Sequence, residues 1–202
     1  MEGAGKTTHH KKLAEALTAR GYDVLATREP GGCPLSEEIR AVLLNPRPGG
    51  MSARAEALLY AAARAEHVET VIKPALAQGK IVLCDRYIDS SLAYQGYARG
   101  LGYEAIYQLN DWAAGLWPGL TFFFHITPEE SQFRREKRHE EEQFADRLEQ
   151  EPEEFHAGVF SAFKEIANKN HKRFVMIDAS KAKEDVAELV LKTALRHIKK
   201  NG

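Results

Sequence analysis

The chain begins with Met1-Glu2-Gly3-Ala4-Gly5-Lys6-Thr7-Thr8. Gly5-Lys6-Thr7 matches the second half of the phosphate-binding pattern G-x-x-x-x-G-K-S/T. In this pattern the backbone N–H groups of a glycine-rich turn bind a nucleotide's phosphates at the start of a helix. The lysine reaches the β- and γ-phosphates, and the hydroxyl after it helps to bind Mg²⁺. The first glycine of the pattern would lie one position before Met1, so the stretch predicts a phosphate-binding loop that the chain enters part-way.

The composition is that of one globular domain. The 202 residues carry a formal net charge of −1, which argues against a generally basic surface for nucleic acid. The two cysteines, Cys33 and Cys84, lack a paired spacing, which is typical of a reduced, cytoplasmic protein without structural zinc or disulfides. No apolar run reaches the roughly 18 residues of a membrane span. We therefore expect a single domain over residues 1–202, with neither nucleic acid nor membrane as a partner.

Strand-like and helix-like patterns alternate along the chain. Helical periodicity predicts helices over residues 8–20, 35–44, 53–78, 104–116 and 152–168, a charged helix from 128 and a closing helix over 186–198. Apolar runs predict strands over residues 24–27, 81–84, 120–126 and 174–178, the second of them buried on both faces. In the long third helix Leu58 and Ala62 are expected to face inward, and Pro74 is expected to kink or break it. This alternation predicts an α/β fold with a doubly wound parallel sheet and helices on both faces.

Polar motifs follow three of the predicted strands. They are Thr27-Arg28-Glu29, Cys84-Asp85-Arg86 and Ile177-Asp178. Because ligands bind beyond the carboxyl ends of the strands in such sheets, this placement indicates a site. The alternative for Arg28, Glu29, Asp85 and Arg86 is surface ion pairing. His9, His10, His139 and His156 are expected to be solvated rather than to bind a metal.

Three blocks of the sequence, taken together, resemble the thymidylate kinases, P-loop enzymes that phosphorylate dTMP with ATP. The blocks are Glu2-Gly3-Ala4-Gly5-Lys6-Thr7-Thr8, then Thr27-Arg28-Glu29-Pro30-Gly31-Gly32, then Asp85-Arg86-Tyr87 running through Ser90-Ser91 to Tyr94-Gln95-Gly96. The helix segment 59–64 and the segment 146–149 fit the same family. The resemblance implies a P-loop nucleoside monophosphate kinase fold, ATP and Mg²⁺ as cofactors, transfer of the γ-phosphate of ATP to dTMP for DNA synthesis, and a homodimer.

The resemblance also implies a role for individual residues. The ATP-binding residues would be Glu2, Gly3, Ala4, Gly5, Lys6, Thr7 and Thr8, with Thr7 and Asp85 as ligands of Mg²⁺. The dTMP-binding residues would be Glu2, Arg28, Tyr60, Arg64, Arg86, Ser91, Tyr94 and Gln95. Among these, Arg28 and Arg86 would hold the phosphate, and Glu2 would accept from the 3′-hydroxyl. Tyr60 would stack on the thymine, unless it is simply a core aromatic residue. Arg64 and Ser91 would reach the edge of the base, and Tyr94 would disfavour a 2′-hydroxyl.

The catalytic residues implied by the resemblance are Lys6, Arg86, Arg134 and Arg147. Gly3 stands where one subclass of the family carries a loop arginine, so Arg134 and Arg147, on a mobile lid at about residues 132–150, would supply cations to the transferring phosphoryl group. The alternative for the arginines of the lid is a solvated helix face. No general base is needed, because a phosphate monoester with a second pKa of roughly 6 is already anionic at pH 7. His125 replaces the family's usual aspartate, Gly158 its usual arginine and Cys33 its common threonine.

The strand that precedes the phosphate loop in this family has no counterpart in the sequence. In the family's sheet it would lie between the strands at 81–84 and 120–126. Since neighbouring strands lie about 4.8 Å apart, we expect these two strands to be roughly 10 Å apart, with unpaired facing edges. We also expect the natural product to start upstream of Met1, or the sequence to be a fragment.

Two other functions remain open on the sequence alone. One is another nucleoside monophosphate kinase or a deoxynucleoside kinase. The other is a catalytically impaired nucleotide-binding protein, suggested by the incomplete loop, His125 and Gly158.

Overall fold

In the computed structural model of the protein, the structure is described for residues 4–46, 48–127, 147–148 and 150–201. The strands are β1 (Val24–Arg28), β2 (Ile81–Asp85), β3 (Thr121–His125) and β4 (Phe174–Asp178). The helices are α1 (Lys6–Thr18), α2 (Pro34–Leu44), α3 (Ala53–His67), α4 (Lys73–Ala77), α5 (Ile88–Ser91), α6 (Tyr103–Ala114), α7 (Glu153–Lys169) and α8 (Lys183–Asn201). Two π-helical segments, Val68–Ile72 and Leu92–Ala98, join α3 to α4 and extend α5. The predicted charged helix from Pro128 lies outside the described residues.

The strands form two parallel pairs. β1 pairs with β2, with Thr27 opposite Cys84, and β3 pairs with β4, with Phe124 opposite Ile177. Within the described ranges the two pairs are separate two-stranded sheets, so β2 and β3 are not hydrogen-bonded to each other. The expected unpaired edges are therefore present in this part of the chain.

Helices cover both faces of the strands. Phe123 of β3 packs in one core with Phe163 and Ile166 of α7, whereas its neighbour Phe124 packs in a second core with Leu13 of α1 and Val190 of α8. Successive side chains of a strand point to opposite faces, so the two cores lie on opposite sides of the sheet. The predicted doubly wound α/β fold is confirmed.

A cavity of about 390 Å³ lies between β2 and β3, and its lining includes Val82, Leu83, Phe122 and Phe123. On this side the carbonyl of Leu83 faces the ring of His10, whose Nε2 lies 3.0 Å away. All five residues of β2 are half-buried rather than buried. The prediction that this strand is buried on both faces was wrong, because in the described residues β2 has a paired strand on one edge only.

The long third helix differs from the predicted pattern on its inward face. Leu58 is 59% exposed, and Ala62 is exposed as well, whereas Glu56, Arg64 and His67 are fully or almost fully buried. The predicted inward positions Ala61, Val68 and Ile72 are buried, but apolar periodicity could not place the whole face, because three of the six buried residues of α3 are polar or charged. The α-helical hydrogen bonding is interrupted by the π-helical segment Val68–Ile72, which directly precedes the turn that contains Pro74.

His9 is also buried, contrary to expectation. It is 5% exposed, and its ring stacks on Phe124 at 5.3 Å between ring centroids. Burial, followed by the charge of Lys12, lowers the pKa of His9. None of the helices in the described ranges is both long and apolar enough to cross a membrane.

Candidate active site

The end of the phosphate-binding loop leads directly into α1. Gly5 has φ 74°, in the left-handed region that glycine adopts without a steric penalty, and α1 begins at Lys6, as the motif requires. The hydroxyl of Thr7 donates to Asp85 Oδ2 at 3.0 Å. The structure therefore brings the loop against the carboxyl end of β2. Glu2 and Gly3 lie outside the described residues, whereas Ala4 is buried and Thr8 is exposed.

Thr7 and Asp85 suit a magnesium ion. A hydroxyl and a carboxylate oxygen within 3.0 Å of each other are the hard oxygen ligands that Mg²⁺ prefers, and Mg²⁺ completes its shell with phosphate oxygens and water. The residues present fit the predicted ion, and the ligand role of Thr7 and Asp85 stays a prediction.

The end of β1 and the loop after it both contact Glu37 of α2. Both terminal nitrogens of Arg28 donate to the Glu37 carboxylate at 3.0 Å each, and the Gly32 N–H donates to the same carboxylate at 2.9 Å. The hydrogen bond from Gly32, assisted by Arg28, lowers the pKa of Glu37 although its partial burial opposes this. The side chain of Arg28 is 49% exposed, so the surface ion pairing considered from the sequence is what the structure has at Arg28.

Glu29, the next residue, is in a different environment. It is 4% exposed and accepts a hydrogen bond from Arg64 Nε at 2.7 Å. Its other oxygen lies 3.1 Å from His67 Nδ1, and His67 Nε2 lies 2.8 Å from the hydroxyl of Thr27. Surface ion pairing was therefore the wrong alternative for Glu29, which belongs to a buried chain of polar groups linking β1 to α3.

Arg64 is held by several acceptors below the surface. Its Nε donates to Glu29, as described above, and its Nη1 donates to Ser91 Oγ at 2.9 Å and to Asn110 Oδ1. Arg64 itself is only 2% exposed. The guanidinium is thus fixed before any ligand binds. The sequence predicted contacts from Arg64 and Ser91 to a base edge, and the structure shows that the two side chains bind each other.

Arg86 lies at the sharp turn that follows β2. Its φ of 65° is in the left-handed region, and its Nη1 donates to the Tyr94 hydroxyl at 3.2 Å. The Tyr94 ring is fixed in turn by edge contacts with Phe155 and Phe163, at 6.0 and 6.5 Å between centroids. Arg86 and Tyr94 are therefore positioned by the same packed aromatic cluster.

A cavity of about 70 Å³ lies between α3, α5, the second π-helical segment and Leu148. Six of the eight predicted dTMP-binding residues line it, namely Tyr60, Arg64, Arg86, Ser91, Tyr94 and Gln95. Of the other two, Glu2 lies outside the described residues and Arg28 lies beside the cavity's Glu29 in the chain. These six come from two stretches of the sequence, residues 60–64 on α3 and residues 86–95 after β2, so their convergence on one cavity is a property of the fold.

Comparisons with known proteins agree with this geometry. The sequence profile described as thymidylate kinase matches residues 1–190. The chain is 47% identical over 201 residues to a thymidylate kinase of Bacillus pumilus, covering 99% of this chain and 94% of that protein. It is 50% identical over 192 residues to one of Bacillus licheniformis, covering 95% and 88%. The crystal structure of thymidylate kinase from Ehrlichia chaffeensis superposes with a TM-score of 0.77 at 34% identity, covering 96% and 94%.

The chain belongs to the thymidylate kinase family.

The structure describes the surroundings of His125 and Gly158, two of the residues that were noted above as differing from the family pattern. His125 ends β3 opposite Asp178 of β4, whose pKa is lowered by hydrogen bonds from Ser180 and further by the nearby imidazole. Gly158 lies on α7, where an added Cβ would meet nothing within 4 Å. Among the described residues, position 158 can therefore carry a Cβ without a close contact.

The predicted lid lies almost entirely outside the described residues, and Arg134 with it. Arg147 is described, and it is 9% exposed. Its Nε donates to the carbonyl of Leu43 at 2.8 Å, and its Nη2 lies 2.7 Å from Glu56 Oε2. The catalytic role of Arg147 stays a prediction, and the partners that the structure gives it are the end of α2 and the start of α3.

The sequence reasoning missed three residues that support the cavity: Glu56, His67 and Asn110. A signal was available for the first two. Glu56 lies one helical turn before Tyr60, and His67 lies one turn after Arg64, so both share the stripe of α3 that was predicted to bind dTMP. Asn110 carries no comparable signal, because only the tertiary fold brings it to Arg64. Leu148, which lines the cavity, lies in the segment 146–149 that was assigned to the lid and not to the dTMP-binding residues.

A group of possible metal ligands lies beneath the cavity. It consists of Glu29, His67 and Cys84, and one potential ligand atom from each lies within 4.8 Å of the other two. The Arg64 guanidinium already binds Glu29, which places a positive charge against the cluster. Burial also raises the pKa of the Cys84 thiol well above its usual value, which disfavours the thiolate that binds metals. The cluster is better explained as support for Arg64.

Proposed function

We propose that the protein transfers the γ-phosphate of ATP to dTMP, giving dTDP. The observation that carries the proposal is the junction at Asp85-Arg86. Asp85 accepts from Thr7 of the phosphate-binding loop, and the next residue, Arg86, lines the cavity that contains the predicted dTMP-binding residues. Membership of the thymidylate kinase family supports the same activity.

Each side of the junction has a distinct task in this proposal. Lys6, at the first turn of α1, binds the β- and γ-phosphates of ATP, and the N-terminal end of the helix favours their negative charge. Thr7 and Asp85 hold Mg²⁺, which neutralises charge on the phosphates as they react. Arg86 fixes the acceptor phosphate, whose anionic oxygen attacks without a general base. Arg134 and Arg147 are proposed to stabilise the charge of the transferring group.

The arrangement of the cavity also supports selection of the acceptor. Tyr60 offers a ring to the base, and Arg64 and Ser91 are already fixed by their mutual hydrogen bond, so little side-chain freedom is lost on binding. Tyr94 is held in place by Arg86 and two phenylalanine rings, which lets its rigid edge exclude a 2′-hydroxyl. We therefore expect a preference for a deoxyribonucleotide with a thymine base.

A coupled assay of ADP release tests the function. We expect the enzyme to turn over dTMP, and to turn over dUMP, dCMP and thymidine much more slowly. Lys6→Ala and Arg86→Ala are expected to abolish most of the activity, since removing a cation that acts on the transferring phosphoryl group can lower the rate about 10³-fold. Binding of dTMP without ATP-dependent turnover would instead identify a catalytically impaired protein. Faster turnover of another acceptor would assign a different kinase activity.

We also propose that the protein is a cytoplasmic homodimer. Both described cysteines are free, in keeping with a reducing compartment. Helices α3 and α6 pack against each other. Leu58 of α3 is 59% exposed and Trp112 of α6 is 87% exposed, and a dimer interface on these helices would cover this apolar surface. Light scattering after size-exclusion chromatography tests the dimer, and Trp112→Glu is expected to yield monomers if α6 lies in the interface.

A further inference from the structure

Glu56 has an environment that the activity proposed above does not explain. It lies in the first turn of α3 and is 0% exposed. Burial alone would raise the pKa of this carboxyl group, but hydrogen bonds from Arg99 and Gln95 and the nearby Arg147 guanidinium outweigh burial, and the net pKa lies below the usual value. Glu56 is therefore a buried carboxylate that is kept charged by its donors.

The donors come from two separate parts of the chain. Gln95 Nε2 donates to Glu56 Oε1 at 2.8 Å, and Arg99 donates to both oxygens, at 3.3 Å from Nε and 3.1 Å from Nη2. Gln95 lies in the second π-helical segment, and Arg99 follows it directly. Arg147 approaches from the other side, with Nη2 at 2.7 Å from Oε2.

Arg147 is tied to α2 as well. Its backbone N–H donates to the carbonyl of Leu44 at 3.0 Å, and its Nε donates to the carbonyl of Leu43 at 2.8 Å. These carbonyls belong to the last turn of α2, where helical partners are lacking. With the ion pair to Glu56, the three contacts fix the position of Arg147 and so restrict its neighbour Leu148.

Two residues held in this way form walls of the acceptor cavity. Gln95, bound directly to Glu56, lines it on the side of the π-helical segment, and Leu148, next to Arg147, lines it on the side of α2. Both are nearly buried, at 2% and 9% exposure. A buried ion pair by itself is weak evidence for a stabilising role, since well-packed apolar residues of similar volume often stabilise as much or more. The contacts of Glu56 with Gln95 and Arg147 instead connect it to two residues that line the cavity, Gln95 and Leu148. They indicate a role in shaping the cavity rather than in stability.

We propose that Glu56 is a positioning residue for the acceptor cavity, holding two of its lining residues in place: Gln95 directly, and Leu148 through Arg147. This inference rests on the proposed function, because it takes the acceptor nucleotide to be the occupant of the cavity. It assigns to Glu56 no contact with substrate.

Glu56→Gln is the decisive variant, because it keeps the size of the side chain and removes the charge that faces two guanidinium groups. We expect the KM for dTMP to rise at least tenfold and the KM for ATP to stay within twofold. The matched control is Glu151→Gln. Glu151 accepts a hydrogen bond from the same Arg99 at 2.5 Å, yet it does not line the cavity. The KM of Glu151→Gln for dTMP is therefore expected to equal that of the wild type.

The split between the two KM values separates positioning from simple destabilisation. A merely structural Glu56 would lower the melting temperature and the fraction of folded enzyme, which reduces the apparent kcat and leaves both KM values unchanged. Glu56→Asp, which keeps the charge on a shorter side chain, is expected to restore part of the affinity for dTMP. Leu148→Ala is expected to raise the KM for dTMP several-fold with Glu56 intact.

An unchanged KM for dTMP in a folded Glu56→Gln enzyme overturns the proposal. If Glu56→Gln does not fold, unchanged values in both Glu56→Asp and Leu148→Ala overturn it, and raised values in both support it. The wild-type enzyme, measured alongside, reports on the proposed function separately, since turnover of dTMP by the wild type does not depend on how the variants behave.

Discussion

Gly32, in the loop after β1, provides the sharpest test of how the polar chain beneath the cavity is built. Its φ is 91°, and a Cβ added to it would lie 2.7 Å from the hydroxyl oxygen of Thr27 and still closer to Nε2 of His67. Real Cβ atoms almost never approach other atoms so closely. Gly32→Ala must therefore displace the Thr27 hydroxyl, the His67 ring or both, and we expect it to break the contact between them, which is now 2.8 Å long.

The expected loss of stability has three parts. A left-handed backbone costs about 1–2 kcal/mol for a residue with a Cβ. The hydrogen bond between Thr27 and His67 contributes about 0.5–1.5 kcal/mol, and forcing extra volume into a packed region costs about 1–3 kcal/mol. Together they give about 2.5–6.5 kcal/mol. At about 2–4 °C per kcal/mol for a chain of this size, the melting temperature of Gly32→Ala should fall by about 5 °C or more.

Gly21→Ala is the matched control. Its φ of 86° is nearly the same as that of Gly32, but an added Cβ would meet nothing within 4 Å. Only the backbone penalty remains, so a fall of about 2–8 °C is expected, smaller than that of Gly32→Ala by at least about 3 °C. Thermal unfolding followed by circular dichroism measures both variants, and an isothermal titration with dTMP should show weaker binding for Gly32→Ala alone, because His67 and Glu29 support Arg64. Melting temperatures within about 2 °C of each other would refute the proposed close approach.

Three further predictions concern the loop, the metal and the sheet. The carboxylate of Glu37 has a lowered pKa, so its contribution to stability is present above the usual value of 4.5 and is lost as the pH falls through the lower folded value. The difference in unfolding free energy between wild type and Glu37→Gln should therefore shrink below about pH 4.5, and a constant difference from pH 7 to pH 3 would contradict this. Asp85→Asn should raise the Mg²⁺ concentration needed for half-maximal turnover, since an amide binds this ion more weakly than a carboxylate; an unchanged magnesium titration would exclude Asp85 as a ligand. An apolar strand ending in glycine, fused ahead of Met1, should raise the melting temperature by occupying the cavity between β2 and β3, and no gain would mean that the cavity does not accept a strand.

The sequence was informative wherever its pattern reports on backbone geometry. The alternation of apolar runs with helical periodicity predicted parallel strands within one or two residues of their observed ends, because buried strands and amphipathic helices differ in period. The motif residues at the carboxyl ends of β1 and β2 were also predicted to converge, since parallel strands present those ends at one edge. Arg28 and Asp85 lie opposite each other in the observed register.

The sequence did not predict which charged side chains are buried. Glu56 and His67 were absent from the predicted site, and Leu58 was placed inside, because apolar periodicity assumes that charged groups face water. A carboxylate is tolerated inside a protein only when donors from elsewhere in the fold reach it. For Glu56 these donors are Arg99 and Arg147, which are 43 and 91 positions further along the chain by their residue numbers. No local pattern contains that information.

The turn at Arg86 explains how one short segment can serve two substrates. Along an extended strand, consecutive side chains point to opposite faces, so a continuation of β2 would place the side chain of Arg86 on the face opposite to that of Asp85. The left-handed φ of 65° at Arg86 ends the strand at once and directs the guanidinium toward Tyr94, while Asp85 stays against Thr7. A long side chain rarely adopts this conformation, and backbone strain of this kind persists where the surroundings enforce it, most often at functional sites. The contacts on either side of it, Asp85 with Thr7 and the Arg86 guanidinium with Tyr94, make this strained residue the point at which the donor and acceptor sides of the proposed reaction meet.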